Sequence, residues 1–486
     1  MPETRAAGQA CLSDAQERAF ERHARRFGHE VGRLSGGAEL VSYPIVPSIV
    51  EVRALSAATP SERHRRQQVF FNPVVALRRS IGQGVHDRLE GAVFADGTIV
   101  PADEARTGYH FPFPTRIVSV RHREVRSGES WDLSVRGDHW GLDDRDDIMN
   151  VVNVGSLRLE AGATVLVRGN LLILIVQQLI CEPGEPPESA EPGEPGQYQL
   201  AILPTPFSVD NDTGPRHGPG GPAGLDGAGG AEGVGAPTER TWLGARLLGP
   251  VVPGAADGSD GGEATAGGDG VKGRTGGASK LAEITIGELA GSLTILATAG
   301  RGGDGGAGGP GGRGGNGGPG APGQRTMEGF IPPGTGGDGG RGGDGGRGGR
   351  GGHGGIASNV FVSLPPDQAA QVRVLAHPSG GGRGGRGGRG GRGGAGGQAG
   401  PGGAHAPEPG AVGVSRPRPD GSPGLSGADG RPGRDGRARA APPVFVNEHA
   451  VEPMPAPTQV PPPDAVRSLD TRRGAVFTST MGEEGQ

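Results

Sequence analysis

GGDGGAGGPGGRGGNGGPG, residues 302–320, repeats one triplet, Gly-Gly-X, in which only the third residue varies. The triplet returns in GGDGGRGGDGGRGGRGGHGG, residues 336–355, and in GGRGGRGGRGGRGGAGGQ, residues 381–398. A period of three is neither that of an α-helix nor that of a strand, and it matches a polyproline-II-type helix, which rises about 3.1 Å per residue. Such a helix makes no internal hydrogen bonds, so its backbone groups need partners elsewhere. Because glycine has no Cβ, neighbouring segments can approach closely, which predicts a laterally hydrogen-bonded bundle.

Six glycine-rich runs follow this pattern. They are residues 218–235, 267–277, 302–323, 336–355, 381–403 and 421–436. The pattern resembles the polyglycine-II bundles of the snow flea antifreeze protein and of phage tail-fibre adhesins, over roughly Gly218–Arg437. The resemblance implies a rigid array of glycine helices. From the adhesins, it also implies that loops between the runs carry specificity, here Met327–Pro333 and Pro365–Ala376.

Composition sets limits on the rest of the chain. The 486 residues include 101 Gly and 44 Pro, a content that without a period would indicate disorder. Hydrophobic residues are 33% and aromatic residues 4%, which is too little for one large core over this length. We therefore expect a modest core in the first 210 residues. The net charge of -5 gives the whole protein no general attraction to nucleic acid.

Apolar stretches alternate with the glycine runs. AEITIGELAGSLTILATAG, residues 282–300, precedes one run, and NVFVSLPPDQAAQVRVLAHPSG, residues 359–380, precedes another. Glycine runs have few apolar side chains to bury, whereas burial of Val, Ile and Leu is strongly favourable. We expect these stretches to be strands that stack as one core and hold the ends of the glycine runs.

The N-terminal region predicts a small α+β domain. Ser13 and Gln16 fit a capping box, and the apolar residues that follow recur at helical spacing. That apolar stripe consists of Phe20, Ala24, Phe27 and Val31. Three further elements are predicted from local signals, namely a strand over Tyr43–Val52, a helix over 74–81 after Asn72-Pro73, and a hairpin over Ala92–Val100.

A second repeat lies between the N-terminal region and the glycine runs. Gly155, Gly162 and Gly169 are seven residues apart, and each begins a short alternating apolar stretch. Three equal sides with glycine corners are typical of one rung of a β-solenoid or of a tight meander.

The sequence therefore predicts a mainly β protein in four parts. These are a small α+β docking or assembly domain over 1–110, a β-solenoid-like or meander stem over 115–210, a polyglycine-II helix bundle with interleaved strands over 214–440, and a Pro-rich extended tail over 441–486. Within the tail, VFV at 444–446 and AVFTSTM at 475–481 could each add an edge strand.

One arginine ridge is predicted where GGR repeats four times. Its members are Arg383, Arg386, Arg389 and Arg392, about 9 Å apart along one side. The run matches the RGG box of RNA-binding proteins, but it lacks the aromatic residues on which bases stack. Acids recur in the same triplet position, at Asp304, Asp338 and Asp344, and favour lateral ion pairs with arginine. We interpret the ridge as structural, and a repeating polyanion such as an acidic polysaccharide is the ligand that it could bind.

No chemistry-bearing set of residues emerges from the sequence. The two cysteines have neither disulfide-framework nor zinc spacing. The densest acidic group, Asp138-His139 with Asp143, Asp144, Asp146 and Asp147, is more typical of a solvated loop than of a cation site. We predict no catalytic residue, cofactor or metal. The N-terminus lacks a signal-peptide pattern and residues 171–180 are too short and polar to span a membrane, which predicts synthesis in the cytoplasm. Work outside the cell would need another route, such as an assembled particle.

The functional prediction is a non-enzymatic structural or attachment protein, such as a fibre, a shell or a receptor-binding tip. The expected partners are further copies of the chain, in an oligomer or a filament, or a surface glycan. Nucleic acid is not expected. Two alternatives stay open, an RGG-type RNA-binding protein with a disordered Gly/Arg region and an ice-binding protein.

Overall fold

The computed structural model describes residues 12–71, 111–142, 147–183, 198–206, 214–402 and 418–452, without the side chains of 67–71. The helices are α1 (Asp14–Arg26), α2 (Val31–Ser35), α3 (Ile49–Leu55) and α4 (Pro60–Phe71). The predicted capping box is confirmed, since the Ser13 hydroxyl accepts from the Gln16 N–H and the Gln16 side chain accepts from the Ser13 N–H. The helical stripe is buried at Phe20, Ala24 and Phe27, whereas Val31 begins α2.

The described strands number nineteen. They are β1 (Leu40–Ser42), β2 (Ile45–Val46), β3 (Phe113–Val125), β4 (Ser130–Asp132), β5 (Met149–Leu159), β6 (Thr164–Arg168), β7 (Leu171–Cys181), β8 (Leu200–Leu203), β9 (Thr238–Thr241), β10 (Gly244–Leu247), β11 (Ala282–Ile286), β12 (Leu289–Ala290), β13 (Leu293–Thr298), β14 (Gln324–Thr326), β15 (Gly329–Ile331), β16 (Val360–Ser363), β17 (Val372–His377), β18 (Val444–Val446) and β19 (His449–Ala450).

Most strands belong to two sheets that share a core. The ten-stranded sheet has the order β1-β3-β5-β7-β11-β16-β18-β19, with β2 beside β3 and β12 beside β7, and it is parallel from β3 to β18. The five-stranded sheet has the order β17-β13-β8-β6-β4 and is parallel throughout. Apolar side chains of both sheets form one buried cluster. On its other face the larger sheet packs against helical residues such as Ile49 and Val52.

The predicted fold class is wrong. The described residues form a mixed α/β fold built on a parallel-rich sheet, and they show neither a solenoid or meander stem nor a polyglycine-II helix bundle. A meander fails because β3, β5 and β7, which neighbour one another in the larger sheet, pair in parallel. The three-cornered repeat fails at Gly155, which lies inside β5, where a Cβ would come 2.4 Å from the Arg121 carbonyl oxygen. Only Gly162 and Gly169, with φ of +77° and +67°, turn the chain.

Other local predictions have mixed outcomes. The strand predicted over Tyr43–Val52 is wrong beyond β2, because the Ser48 hydroxyl caps α3 by accepting from the Glu51 N–H, and this helix buries Ile49 and Val52. A strand does form at 444–446, as β18, which pairs with β16; it is not the edge strand that was predicted, because β19 pairs along its other side. The helix over 74–81, the hairpin over 92–100 and the strand at 475–481 lie outside the described residues.

The strands that alternate with the glycine runs do stack into one core, as predicted. β11, β16 and β18 continue the larger sheet beyond β7, and β13 and β17 continue the smaller one beyond β8. Their inward residues, including Ile284, Val362 and Ile295, are no more than 1% exposed. Each long glycine-rich excursion therefore leaves from this core and returns to it.

Buried ion pairs attach α4 to the sheet. Glu283 on β11 and Arg66 on α4 are both 0% exposed, and their charged groups are 2.9 Å apart. The same carboxylate accepts hydrogen bonds from the Ser56 hydroxyl and the Ala57 N–H. Arg66 also lies 3.3 Å from the Glu448 carboxylate and stacks over Phe361. This network links an N-terminal helix to the middle and to the last strands of the sheet.

Candidate functional surface, the glycine array

Six glycine-rich segments lie side by side and are assigned neither helix nor strand. We call them the glycine array and number its segments I (216–235), II (256–277), III (300–323), IV (334–355), V (380–402) and VI (419–437). Segments I and II connect β8 to β11, segments III and IV connect β13 to β16, and segments V and VI connect β17 to β18. Every segment therefore has one end at the sheet core and one end far from it.

Backbone hydrogen bonds arrange the segments in two rows. Segments I, III and V run parallel to one another, and segments II, IV and VI run antiparallel to them in the second row. The triplet Ala307-Gly308-Gly309 shows the pattern. The Gly308 N–H donates along the row to the Arg386 carbonyl, and the Gly309 N–H donates across to the Gly268 carbonyl, both at 2.8 Å. The Ala307 carbonyl accepts from Gly221 of the neighbouring segment at 2.8 Å.

The two glycines of a triplet lie where a side chain cannot fit. A Cβ on Gly309 would come 1.8 Å from the Pro222 carbonyl oxygen, and one on Gly346 would come 1.9 Å from that of Gly268. Gly229 on segment I differs, because it occupies the third triplet position and has nothing within 4 Å of its Cβ position. In segments III, IV and V the array therefore requires glycine at two positions of three and leaves the third free to vary. The outer segments I, II and VI keep glycine at about one position of three and carry side chains such as Leu225, Ser259 and Asp429 at a second.

Third-position side chains form two faces, one on each row. The face on segments I, III and V, which we call the Arg383 face, includes His217, Asp226, Arg301, Asp304, Arg313, Arg383, Arg386, Arg389 and Arg392. The face on segments II, IV and VI, which we call the Asp338 face, includes Asp257, Asp260, Glu263, Asp269, Lys272, Asp338, Arg341, Asp344, Arg347, Arg350, Arg431, Arg434 and Arg437. These side chains are exposed or half-buried.

The acids of both faces bind backbone rather than neighbouring guanidinium groups. Asp304 Oδ1 accepts the Arg383 N–H at 2.7 Å, and Asp338 Oδ1 accepts the Ser422 N–H at 2.7 Å. Hydrogen bonds from the backbone and hydroxyl of Thr335 hold the pKa of Asp257 below its usual value. The predicted lateral ion pairs are thus replaced by contacts to the third N–H of a neighbouring triplet, which the short Asp side chain can reach. The ion pairs that do form run along a segment, as in Arg341–Asp344 at 3.2 Å.

The predicted arginine ridge lies on the Arg383 face. Its four side chains, Arg383, Arg386, Arg389 and Arg392, are exposed, and within the described part of the chain none of them forms an ion pair. Their carbonyls accept from glycines of segment III, so the backbone that carries them is fixed. The ridge stays a prediction as a polyanion site.

Side chains also cover the outer edge formed by segments V and VI. The carboxylates of Asp420, Asp429 and Asp435 accept the N–H groups of residues 399, 390 and 384, at 2.6 to 2.8 Å. In the pattern of the other segments, these N–H groups would bind a further segment. Pro423 and Pro432 occupy the same side of segment VI and have no N–H to offer. Side chains therefore occupy part of this edge, much as edge strands of sheets are protected.

Two hairpins at the far end of the array form its tip. The hairpin β9–β10 joins segments I and II, and the hairpin β14–β15 joins segments III and IV. They are in contact, since the Met327 N–H donates to the Ala245 carbonyl at 2.8 Å. The tip exposes large apolar side chains, which are Trp242 (92% exposed), Leu243 (62%), Leu248 (62%), Val252 (63%) and Met327 (54%).

The sequence reasoning missed Trp242 and Leu243, although a signal was present. RTWLG at 240–244 and RTMEG at 325–329 share the pattern Arg-Thr-x-x-Gly. In both hairpins the threonine hydroxyl donates to the carbonyl of that glycine, at 2.7 and 3.0 Å. The two glycines, Gly244 and Gly329, have φ of +134° and +144°, which side chains rarely adopt.

The two loops predicted to carry specificity lie apart. Met327–Pro333 spans the β14–β15 hairpin at the tip. Pro365–Ala376 instead crosses between the two sheets, through a short 3-10 helix (Pro366–Gln371) and most of β17. The structure therefore brings the first loop beside Trp242 and leaves the second at the opposite end of the array.

The remaining candidates lie in the sheet core. An open cleft of about 690 Å³ lies beside α4 and the β18–β19 hairpin. Of the predicted acidic loop, Asp143, Asp144 and Asp146 lie outside the described residues, and Asp147 forms an ion pair with the buried Lys280. Among the described residues no cluster of three or more His, Cys, Asp or Glu could hold a metal ion. No helix within the described ranges is long and apolar enough to cross a membrane.

Comparisons of the chain with protein-family models, with curated proteins and with solved structures find no match.

Proposed function

We propose that this chain is a non-enzymatic structural or attachment protein in which the glycine array is a stiff arm and the tip is its contact surface. The observation that carries the proposal is Trp242, 92% exposed in a hairpin that lies at the far end of a laterally hydrogen-bonded array. Extended chain of this kind rises about 3.1 Å per residue, so segment III alone reaches roughly 70 Å from the core.

Two properties support this function. The array gives its triplets lateral hydrogen bonds in two directions, which resists bending more than a single extended chain can. The tip gathers exposed apolar residues, and such patches mark interaction sites on soluble proteins. A single Trp exposed in a fixed hairpin also has the character of a binding anchor, because aromatic residues dominate the binding energy of many interfaces.

Limited trypsin digestion of the full chain tests the stiff arm. Segment V carries four exposed arginines in GGR triplets, which trypsin would cut at once in a disordered chain. Cleavage of hydrogen-bonded backbone requires local opening. We therefore expect cuts within 380–402 to be at least about a hundredfold slower in the folded protein than in the same protein unfolded by urea, after correction for the effect of urea on trypsin. Immediate cleavage within 380–402 would contradict the stiff arm.

Binding measurements test the tip. We expect the full chain to bind at least one member of a panel of immobilised surface glycans, and Trp242→Ala to weaken that binding about tenfold or more, as the loss of an aromatic anchor does. Leu425→Ala is the matched control, because Leu425 is 75% exposed but lies on the Asp338 face. Equal binding by the two variants would remove the tip from the proposal.

The same protein separates the two alternatives. Affinity for single-stranded RNA that falls steeply with salt would favour RNA binding through the exposed arginines. Freezing hysteresis in dilute solution would favour ice binding. Fast trypsin cleavage together with RNA affinity would place the RNA-binding function first.

A further inference from the structure

Charge is distributed unevenly along the Asp338 face. The three levels near the tip carry four acids, Asp257, Asp260, Glu263 and Asp338, against the base Arg341, and Arg418 lies near Asp257; Asp344 is on the middle level. The half near the sheets carries six bases, Lys272, Arg347, Arg350, Arg431, Arg434 and Arg437, against one acid, Asp269. The hydrogen-bond register sets this order, because it puts residue 260 level with 338 and residue 350 level with 272 and 434.

The two ends do not neutralise one another within the chain. Asp260 and Arg350 stand on levels four triplets apart, which is about 37 Å at 3.1 Å per residue. Screening at physiological salt removes most attraction beyond about 8 Å. Within the described part of the chain, the only ion pair on this face is the one between Arg341 and Asp344. The other charged side chains form no ion pair among the described residues, although Arg418 lies near enough to Asp257 to help lower its pKa.

We propose that the Asp338 face is a self-association surface, on which two copies of the chain pack antiparallel. An interface with twofold symmetry must be complementary to itself. A face that is acidic at one end and basic at the other meets this condition when a second copy lies on it in the opposite direction. Each acidic half then covers a basic half, twice in the same dimer.

Size and shape agree with a second copy as the occupant. Seven triplet levels extend about 56 Å. A face of that length needs to be only about 15 Å wide to provide the roughly 800 Å² per partner that stable interfaces bury. The middle level carries Asp344 between the small side chains of Ala266 and Ala428, so only one charged side chain of each copy occupies it. A linear polyanion would be attracted to the basic half and repelled by the acidic half.

Salt dependence and charge reversal in the full chain test the dimer. We expect sedimentation equilibrium to show a dimer at low salt that dissociates as salt is raised. The acid-reversed variant, Asp260→Lys with Glu263→Lys and Asp338→Lys, and the base-reversed variant, Lys272→Glu with Arg350→Glu and Arg434→Glu, should each be monomeric. A neutral variant, Asp260→Asn with Glu263→Gln and Asp338→Asn, keeps the backbone acceptors and should raise the dissociation constant about tenfold or more.

Mixing the two reversed variants is the decisive step. The acid-reversed variant is positive over both halves of the face, and the base-reversed variant has lost the positive charge of its half near the sheets. An equimolar mixture should therefore form a heterodimer, although neither variant self-associates. Arg383→Glu with Arg386→Glu and Arg389→Glu is the matched control on the opposite face, and it should dimerise like the original chain.

Three results would overturn the dimer: a monomeric original chain at low salt and about 100 µM, a mixture that stays monomeric, or a control variant that loses association. The inference uses the same array that the proposed function uses, and trypsin distinguishes their failures. A monomer whose segment V resists trypsin would remove the dimer and leave the stiff arm in place.

Discussion

The sheet core and the glycine array are stabilised in opposite ways. In the core, side chains such as Ile173 and Val362 are no more than 1% exposed and form the buried material between and beside the sheets. In the array, glycine backbone is the buried material, and side chains lie outside. Burial of apolar area stabilises the first, at about 25 cal/mol per Å², and lateral hydrogen bonds stabilise the second, at about 0.5–1.5 kcal/mol each.

This difference teaches which changes each region tolerates. A core accepts hydrophobic residues of similar volume, because packing depends on shape and total volume. Segments III, IV and V accept nearly any residue at one position of three and no side chain at the other two, whereas the outer segments I, II and VI carry side chains at two. Substitutions can therefore show which of the two rules applies at a given residue.

The largest expected effect is on the charged network within the core. Glu283→Ala leaves the Arg66 guanidinium buried without its nearest carboxylate, so we expect a loss of about 3–5 kcal/mol in the free energy of unfolding. Glu283→Leu combined with Arg66→Met should recover most of this loss, because no buried charge is then left unpaired. Denaturant titration measures both, and a loss below about 1 kcal/mol for the single variant would contradict the buried pair.

Adjacent glycines give the sharpest test of the array. Gly230→Ala puts a Cβ 2.1 Å from the Ser259 carbonyl oxygen, and we expect it to cost about 1–3 kcal/mol. Gly229→Ala meets nothing within 4 Å and should be neutral or stabilise by up to about 1 kcal/mol, because alanine restricts the unfolded chain. Hydrogen exchange of segment I amides compares the two. Equal protection in both variants would mean that the segments are not closely packed.

Acids of the array should matter as hydrogen-bond acceptors. Asp338→Ala removes the acceptor of the Ser422 N–H, with an expected cost of about 0.5–1.5 kcal/mol. Asp338→Asn keeps an oxygen in place and should cost less than half as much. If the two variants were equally destabilised, the charge of Asp338 rather than its hydrogen bond would be the stabilising feature.

Histidine burial predicts a modest pH dependence. His29 lies between the hydroxyls of Ser119 and Ser42, and burial lowers its pKa below the ordinary value of 6.5. Protonation therefore favours the unfolded chain, so this stability is present above pH 6.5 and is lost as pH falls. We expect the unfolding free energy to decline below pH 6.5 with a slope of at most about 1.4 kcal/mol per pH unit for this group. His29→Gln should flatten that part of the profile.

The smallest effect on stability is expected at the arginine ridge. Arg386→Ala with Arg389→Ala changes only exposed side chains, so the free energy of unfolding should change by no more than about 0.5 kcal/mol. Affinity for a linear polyuronate, measured by calorimetry at low salt, should fall if the ridge binds polyanions. An unchanged affinity would leave the ridge as solvated surface.

The sequence predicted some of these features and missed others for physical reasons. Local signals such as the Ser13 cap and the apolar stretch around Ile284 depend on neighbouring residues, and they predicted a helix start and a core strand. Parallel pairing of β5 with β7 and the position of Gly155 inside a strand depend on long-range contacts, so spacing alone predicted the wrong architecture. The pairing of the segments could be found only from the hydrogen-bond register, and so could the Asp338 face with its acidic and basic ends. Trp242 was missed because a two-residue turn inside a glycine-rich region carries no periodic signal.

The hydrogen-bond register of the array has a consequence for how this protein can change in length. An insertion of one or two residues within a segment would rotate the pattern and turn a side chain toward the neighbouring backbone. An insertion of one whole triplet keeps the pattern but leaves that triplet without a partner, because each triplet of segment III is hydrogen-bonded to one triplet of segment IV. The arm can therefore lengthen only when one triplet is inserted at the same level in each of the segments that are hydrogen-bonded to one another. Its length should vary among related chains in multiples of three residues, in several runs at once.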